Sequence, residues 1–224
     1  MSTERSFRSA PARVRRAPAA GPFVVGLVGP AGSGKSTLAR ALAGPHVRVL
    51  DADRMGHEIV NEDAAVRAAL AAEYGADVYR ADGTLDRPRV AARVFLDPEA
   101  LARLNRLVHP RILARLRDGV AAATREGFTG TLVVDAALLL DWGFERECDA
   151  VLAVLAPRAL QVERLRAARG WSEEEILRRL AIARGDESFM ALADDVVTND
   201  RTPAEALEAA RSAIARLERR RAGA

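Results

Sequence analysis

Cysteine, aromatic residues and lysine are all scarce in this 224-residue sequence. The single cysteine, Cys148, excludes an intrachain disulfide and a cysteine-based metal cluster, which suits a reducing cytoplasm. Aromatic residues make up only 4% of the chain, so we expect a core built mainly from Leu, Val and Ala. No apolar run reaches the length of a membrane-spanning helix. We therefore expect a cytoplasmic protein without a membrane partner.

Because the chain has a single lysine, the position of that lysine is informative. The chain has 34 basic residues and only one lysine, Lys35, so arginine fills the other 33 positions. Lys35 lies in the segment Gly29-Pro30-Ala31-Gly32-Ser33-Gly34-Lys35-Ser36-Thr37. This segment has the P-loop pattern, in which four residues separate a glycine from Gly-Lys-Ser. A glycine-rich turn can match by chance, but the required context is present: an apolar run over 23–28 and a helical pattern over 35–43.

A P-loop predicts a site for nucleotide phosphates. Glycines let backbone N–H groups approach an anion, and the helix that follows directs its positive end to the same place. Lys35 can reach the β- and γ-phosphates of ATP, and the Ser36 hydroxyl can bind Mg²⁺. The predicted ATP-binding residues of the loop are Ala31, Gly32, Ser33, Gly34, Lys35, Ser36 and Thr37.

The net charge of +3 is concentrated at the beginning of the chain. Residues 1–21 contain five arginines and one glutamate, a balance of +4, which leaves −1 for the rest. The basic balance therefore does not indicate a nucleic-acid-binding domain. Since this segment is rich in Ser, Ala, Pro and Arg and lacks apolar periodicity, we predict a disordered basic leader over 1–21.

Apolar runs separated by helical patterns predict an α/β fold with a parallel sheet covered on both faces. The predicted strands are 23–28, 47–50, 131–135, 150–155 and a last short strand with a polar exit at 195–199. Residues 54–126 lack a convincing strand and show helical periodicity over 62–73 and 99–122, which suits an acceptor-binding insertion. Pro110 lies inside the second pattern, so we expect a break or kink near His109. A final amphipathic helix is predicted over 203–222.

Two predicted strands end in carboxylates, and ligands of open α/β sheets gather at the carboxyl ends of strands. Asp51 and Asp53 follow the second strand, where Asp53 can accept a proton from an acceptor hydroxyl or help to hold Mg²⁺. Alternatively, these aspartates cap the next helix, and both roles can coexist. Asp135 ends the third strand in the manner of a second nucleotide-site signature near Mg²⁺, although many strands end in aspartate.

An arginine-rich helical pair over 158–190 has the form of a lid over phosphates. Gly170 is expected to end the first helix, and Ser172 with Glu175 predicts a capping box at the start of the second. As a group, the arginines can neutralise a phosphoryl group during its transfer. For any single arginine, an exposed ion pair with a glutamate is the better interpretation.

With these motifs in this order, the chain resembles the dephospho-coenzyme A kinases over residues 23–215. The matches beyond the P-loop are Asp51-Ala52-Asp53 with His57 and Val60, Asp82-Gly83-Thr84-Leu85-Asp86-Arg87, Val94-Phe95, Leu104-Asn105-Arg106-Leu107-Val108-His109-Pro110, Gln161 with Arg164, Arg179, and Ala193-Asp194-Asp195-Val196-Val197-Thr198-Asn199. The resemblance implies a three-layer P-loop kinase fold in a single domain over 22–222. That fold has a five-stranded parallel sheet flanked by helices, a helical acceptor-binding insertion over 54–126 and a lid over 158–190.

The resemblance also implies a reaction, the transfer of the ATP γ-phosphate to the ribose 3′-hydroxyl of dephospho-CoA in the last step of coenzyme A synthesis. Asp53 would be the base that engages the hydroxyl, and Lys35 would hold the phosphates. Mg²⁺ would be bound by Ser36, with Asp53 and Asp135 as further candidates. The additional ATP-binding residues would be Arg164 and Asn199, the latter near the adenine. The acceptor-binding residues would be Asp51, His57, Arg87 and His109.

The chain departs from the family pattern at the acceptor wall and in the lid. Where the family has Asp-x-Pro-Leu-Leu-Phe-Glu, this chain has Asp135-Ala136-Ala137-Leu138-Leu139-Leu140-Asp141. In the lid, the family's second arginine falls on Ala168, and Arg169 comes one position, or about 100° of helix, later. The family's lid glutamine falls on Ala183, and a position that is usually basic falls on Phe189.

Three hypotheses stay open at this point. The leading one is a dephospho-CoA kinase. The altered wall motivates a P-loop kinase for another nucleotide or nucleoside, and the altered lid motivates a nucleotide-binding relative without catalysis, against which Lys35 and Asp53 argue. A GTPase is disfavoured because the sequence has no Asn-Lys-x-Asp motif. We expect ATP and a small-molecule acceptor as partners, no nucleic acid, and a monomer or small homo-oligomer.

Overall fold

The computed structural model describes residues 21–95 and 97–223. Within them, one sheet contains the strands β1 (Phe23–Val28), β2 (Val47–Asp51), β3 (Thr131–Asp135), β4 (Ala150–Leu155) and β5 (Asp195–Thr198). Their order is β2-β3-β1-β4-β5, and every neighbouring pair is parallel. The predicted five-stranded parallel sheet is confirmed. Apart from Gly21, the predicted leader lies outside the described residues.

Two hydrophobic cores lie on the two faces of the sheet, because alternate residues of a strand point to opposite faces. In β1, Val24 and Val28 belong to the larger core, whereas Val25 and Leu27 belong to the smaller one. The smaller core is covered by α1 (Lys35–Leu42) and by α9 (Pro203–Ala222), which has its predicted bounds. Among the described residues, no helix is both long and apolar enough to cross a membrane.

The insertion between β2 and β3 is helical. It contains α2 (Ala52–Glu62), α3 (Ala64–Tyr74), a 3₁₀ helix (Ala76–Val78), α4 (Arg87–Phe95) and α5 (Pro98–Arg125). As predicted, the described part of 54–126 contains no strand, and its β-pairing is limited to an isolated bridge between Tyr79 and Leu85. The helix predicted over 62–73 is α3, and it starts at 64 because the Asp63 carboxylate caps it by accepting from the N–H groups of Ala65 and Val66.

Of the break or kink predicted near His109, the break does not occur. α5 runs from Pro98 to Arg125 as one helix with Pro110 inside it. Proline lacks a backbone N–H and costs a helix interior about 3 kcal/mol. Buried side chains on both sides of it, Val108 and Ile112, pack into the larger core and keep the helix continuous.

The predicted lid region contains α6 (Arg158–Arg169), α7 (Glu173–Ile182) and α8 (Asp186–Met190). Gly170 ends α6 in the left-handed conformation, with φ 66°, as predicted. Ser172 caps α7, but the predicted capping box is only half formed, because the Glu175 carboxylate binds Arg179 instead. A capping box with both hydrogen bonds occurs at the start of α9.

Arg67 connects three parts of the insertion. Its Nη1 donates to the backbone oxygen of Asn61 in α2 and to that of Gly83 in the turn before α4, each at 2.6 Å. Its guanidinium lies 4.4 Å from the centre of the Tyr79 ring. Because Arg87 follows this turn, Arg67 holds in place the segment that carries an expected acceptor-binding residue.

Replacing Arg67 by alanine is expected to lower the free energy of unfolding by about 1–3 kcal/mol, because two partly buried carbonyls lose their donor. Arg67→Lys should lose a similar amount, since an ammonium group lacks the planar fork of a guanidinium. Urea unfolding followed by circular dichroism measures both changes.

Arg166→Ala is the matched control for Arg67, because Arg166 forms an exposed ion pair with Glu173. The loss of this ion pair should lower the free energy of unfolding by less than about 1 kcal/mol. Equal losses in Arg67→Ala and Arg166→Ala would contradict the connecting role of Arg67.

Candidate active site

The P-loop joins β1 to α1 through a backbone that favours glycine at three positions. Gly29, Gly32 and Gly34 have φ values of 145°, 77° and 91°. Space is equally limiting, since a β-carbon on Gly32 would lie 2.7 Å from the backbone oxygen of Gln161. A β-carbon on Gly29 would lie 2.1 Å from the backbone oxygen of Val154. The glycines therefore let the loop pack directly on β4 and α6.

Lys35 folds back over the beginning of the loop. Its Nζ donates to the backbone oxygens of Gly29 at 2.6 Å and Pro30 at 3.1 Å. Burial lowers the pKa of Lys35, while the negative charges of Asp135 and Asp53 act in the opposite direction. The single lysine of the chain is thus held at the loop, within electrostatic reach of both carboxylates.

The two aspartates after β2 have different environments. Asp51 is the N-cap of α2, where its Oδ1 accepts from the backbone N–H of Arg54 at 2.9 Å. The capping interpretation is therefore correct for Asp51. Asp53 lies in the first turn of α2 with an exposed side chain, so its carboxylate is accessible to an acceptor molecule.

Asp135 ends β3 beside Asp51 on β2, and it is buried. Burial raises the pKa of Asp135, and a hydrogen bond from the Ser36 hydroxyl and the charge of Lys35 partly oppose this effect. The negative charges of Asp51 and Asp53 raise the same pKa further. Three carboxylates, a hydroxyl and an ammonium group therefore meet at this edge of the sheet.

Ser36 and Asp135 fit the ligands that Mg²⁺ takes in phosphate-binding sites. The ion is usually held by one or two protein oxygens together with substrate phosphates and waters. A hydroxyl and a carboxylate close enough for the hydroxyl to lower the pKa of Asp135 meet that requirement. In the described ranges, no three His, Cys, Asp or Glu side chains are arranged to hold a metal by themselves, so phosphate oxygens would have to complete the coordination.

Arg164 and Asn199 support another part of the loop. The Asn199 side chain donates through Nδ2 to the backbone oxygen of Ser33 at 2.8 Å. Arg164 donates through Nη1 to the same oxygen at 3.3 Å and through Nη2 to the backbone oxygen of Asn199 at 3.1 Å. The two residues expected at ATP beyond the loop are therefore brought together against it.

His57 and Arg87 lie near Asp53. Burial lowers the pKa of Arg87, and the charge of Asp53 opposes this shift. Burial and then the positive charge of Arg87 lower the pKa of His57, while Asp53 and Asp51 act in the opposite direction. Asp53 on α2 and Arg87 at the start of α4 are therefore within electrostatic reach of each other.

His109 contacts a different segment, the one that follows β3. Its ring lies edge-on to Trp142, with ring centres 5.2 Å apart and planes at 64°. Burial lowers the pKa of His109. Sequence reasoning missed Trp142, although one of only two tryptophans in the chain directly follows the stretch that departs from the family pattern.

The arginines of the lid differ in what they contact. Arg179 binds Glu175 at 2.7 Å and lies 4.2 Å from the centre of the Trp171 ring, so the ion-pair interpretation is correct for it. Arg169 lies 6.0 Å from the same ring. Arg164 contacts the P-loop directly. Sequence reasoning also missed the ion pair of Arg184 with Asp141, which no local pattern can show.

A parallel sheet with this strand order, a P-loop between β1 and α1, and carboxylates at the ends of β2 and β3 define a P-loop kinase. The family model for dephospho-CoA kinase matches residues 23–205. The chain belongs to the dephospho-CoA kinase family.

Related proteins agree with this assignment. The dephospho-CoA kinase of Thermobifida fusca is 40% identical over 182 residues, which cover 81% of this chain and 89% of that protein. The dephospho-CoA kinase of Deinococcus radiodurans is 42% identical over 187 residues, covering 84% and 88%. Among solved structures, TT1252 from Thermus thermophilus has a TM-score of 0.69 at 30% identity, over 87% of this chain and 96% of that one. Dephospho-CoA kinase from Campylobacter jejuni shares the fold, with a TM-score of 0.61 at 19% identity over 88% and 97%.

Replacing Asp135 by asparagine is expected to stabilise the ligand-free protein at pH 7. Because burial raises the pKa of Asp135 above 3.8, the folded protein binds this proton more tightly than the unfolded chain. Stability is therefore lost as the pH rises from the unfolded pKa through the folded pKa. Asparagine does not ionise, so the stability gain should be largest at pH 7 and shrink as the pH falls towards 4. Urea unfolding at several pH values measures this difference.

Asp118→Asn provides the matched control, because Asp118 is exposed on α5, outside the site. It should give no comparable gain at pH 7. A wild-type protein more stable than Asp135→Asn at pH 7 would mean that the contact with Ser36 outweighs the cost of burial, contrary to this expectation.

Proposed function

We propose that this protein transfers the γ-phosphate of ATP to the ribose 3′-hydroxyl of dephospho-CoA, which gives coenzyme A and ADP. The observation that carries the proposal is the environment of Asp53. Its exposed carboxylate interacts electrostatically with Lys35 of the P-loop and with Arg87 and His57 of the insertion. A carboxylate between a phosphate-binding loop and a separate set of polar side chains suits a base that receives an acceptor hydroxyl.

The loop and Lys35 hold the donor. Backbone N–H groups of the loop and the N-terminus of α1 favour the anionic phosphates. On ATP binding, Lys35 exchanges the carbonyls of Gly29 and Pro30 for phosphate oxygens. The phosphates then keep the ammonium group charged, although burial alone lowers its pKa. Arg164 and Asn199 keep the loop in shape and lie near the adenine.

Asp53 accepts the proton of the 3′-hydroxyl as that oxygen attacks the γ-phosphorus. The bond between the γ-phosphorus and the β,γ-bridging oxygen breaks, and ADP leaves. Lys35 neutralises part of the negative charge on the transferred group. Ser36 and Asp135 would hold Mg²⁺, which neutralises charge on the β- and γ-phosphates when it is bound.

The acceptor enters from the insertion side. His57 and Arg87 bind its polar groups beside Asp53, and Asp51 fixes the start of the helix on which Asp53 stands. His109 and Trp142 form the apolar part of the wall. The proposal includes a cytoplasmic location and a monomer or small homo-oligomer.

A kinase for another nucleotide or nucleoside is the second candidate. The specific observation in its favour is the contact of His109 with Trp142, which follows the altered wall segment 135–141. A wall of different shape can select a different acceptor.

Purified protein incubated with Mg·ATP and dephospho-CoA is expected to form one coenzyme A and one ADP per turnover, as measured by chromatography. A panel of nucleosides and nucleotides in parallel reactions tests the second candidate. Turnover on a panel member but not on dephospho-CoA would replace the proposed acceptor. ATP binding without turnover on any acceptor would point to a relative without catalysis.

Asp53→Asn is expected to lower kcat by about 10²–10⁴-fold, the usual contribution of a positioned base. The affinity for ATP should stay within several-fold, because Asp53 lies outside the P-loop. Asp118→Asn, with the same change of charge on the exposed face of α5, should leave kcat unchanged. Normal turnover in Asp53→Asn would remove Asp53 from the role of base.

A further inference from the structure

One ion pair joins the predicted lid region, 158–190, to the wall segment 135–141. Nη2 of Arg184, in the linker between α7 and α8, donates to Oδ1 of Asp141 at 3.0 Å. Asp141 lies where the family has glutamate, and Arg184 directly follows Ala183, where the family has the lid glutamine. Both partners therefore lie in stretches at which this chain differs from the family pattern. The phosphate transfer described above gives this ion pair no role.

The position of α7 depends on this ion pair more than the positions of its neighbours do. The buried side chains of α7, Ile176 and Leu180, belong to neither of the two cores beside the sheet. In contrast, α8 places Phe189 in the larger core, and α6 contacts the P-loop. Among the residues that the structure describes, the ion pair is the one side-chain hydrogen bond from 171–185 to a residue outside 158–190. It therefore anchors the C-terminal end of α7.

The wall segment has little regular structure beyond the end of β3. Residues 137–143 form turns, in which the backbone N–H of Trp142 donates to the oxygen of Leu138 at 3.0 Å. Leu139 is completely buried in the larger core, and Asp141 is held by Arg184. One anchor of the segment is apolar and buried, and the other is charged and exposed. The position of the segment thus depends on the ion pair as well as on the core.

Trp142 connects the wall segment to α5. It directly follows Asp141, and its ring lies edge-on to His109 with the ring centres 5.2 Å apart. The indole N–H is buried and has no hydrogen-bond partner within residues 21–95 and 97–223. Because no hydrogen bond fixes the indole, its orientation depends on packing and on the adjoining backbone. A displacement of Asp141 would therefore change the contact between Trp142 and His109, which is an expected acceptor-binding residue.

We propose that Arg184 is a positioning residue that couples α7, through Asp141, to the wall segment and to the contact of Trp142 with His109. Coupling between two sites is reciprocal. A nucleotide that changes the position of α7 therefore changes the affinity for the acceptor, and the acceptor changes the affinity for the nucleotide by the same factor. The identity of the acceptor rests on the proposed function. The coupling of α7 to the wall segment in the free protein does not, and it is tested separately.

Salt should weaken this coupling. The side chains of Arg184 and Asp141 are 37% and 52% exposed, and exposed ion pairs are screened by dissolved ions. At about 1 M salt, charges interact over only about 3 Å, compared with about 10 Å at 0.1 M. An exposed pair shifts an equilibrium by at most about fivefold, so the coupling adjusts affinities rather than switching the enzyme on or off.

The first experiment uses Trp142 as a fluorescent reporter in a Trp171→Phe background, since the chain has only two tryptophans. Acrylamide quenching of Trp142 should increase in Arg184→Ala, in Asp141→Asn and in about 1 M salt, because the wall segment loses its charged anchor. Arg166→Ala is the matched control, since it removes an exposed ion pair that stays within the predicted lid. Thermal unfolding checks that each variant is folded. Equal quenching in all variants would overturn the proposal.

A double-mutant cycle tests whether the two residues act through each other. The variant with both Arg184→Ala and Asp141→Asn should be quenched no more than either single variant. Exchanging the two charges, with Arg184→Asp and Asp141→Arg together, should restore the quenching of the Trp171→Phe parent. Increases that simply add in the double variant would mean that the residues act separately, contrary to the proposal.

The second experiment measures the affinity for a non-hydrolysable ATP analogue with Mg²⁺ by calorimetry, with and without dephospho-CoA. The ratio of the two affinities is the coupling factor, and it should move towards one by about two- to fivefold in Arg184→Ala. Arg166→Ala should keep the wild-type ratio. The same ratio in Arg184→Ala and in the wild-type protein would overturn the proposal. If the wild-type protein neither binds nor turns over dephospho-CoA, the proposed function fails, and the quenching results alone decide the coupling.

Discussion

The whole site depends on a contact between two backbones. The P-loop and α6 approach so closely at Gly32 and Gln161 that a single β-carbon would collide with a carbonyl oxygen. This contact fixes α6 relative to β1, although the two are far apart in the sequence. Because α6 also carries Arg164, which donates to the backbone oxygen of Ser33, the same helix supports the loop at a second place.

The electrostatics of the site oppose the stability of the empty protein. Burial disfavours the charged forms of both Lys35 and Asp135, and the carboxylates of Asp51 and Asp53 add repulsion to Asp135. Only part of this cost is returned by the contacts of Lys35 with loop carbonyls and of Asp135 with Ser36. ATP and a divalent cation would supply the missing opposite charges. Such a site is less stable when empty than an apolar site of the same shape, as is common for active sites.

The sequence was sufficient where local pattern decides the structure. Buried apolar runs located the strands to within a residue, and the glycine-lysine-serine spacing located the P-loop. It could not decide between a break and a kink at Pro110, where α5 is one continuous helix with Val108 and Ile112 buried. It was also insufficient for side-chain partners: the pairing of Arg184 with Asp141, and the edge-on contact of Trp142 with His109, depend on segments that only the folded chain brings together. The sequence pattern contains two aspartates, and it could not show that Asp51 caps α2 whereas the side chain of Asp53 is exposed.

The use of arginine almost everywhere else gives the single lysine a chemical consequence. Arginine does not react with reagents that acylate primary amines, so within the side chains of this protein only Lys35 offers them a target. That amine lies in the phosphate-binding loop, is half-buried, and donates to two carbonyl oxygens. The extent of acylation of Lys35 therefore reports whether the loop is open or occupied, without any engineered label.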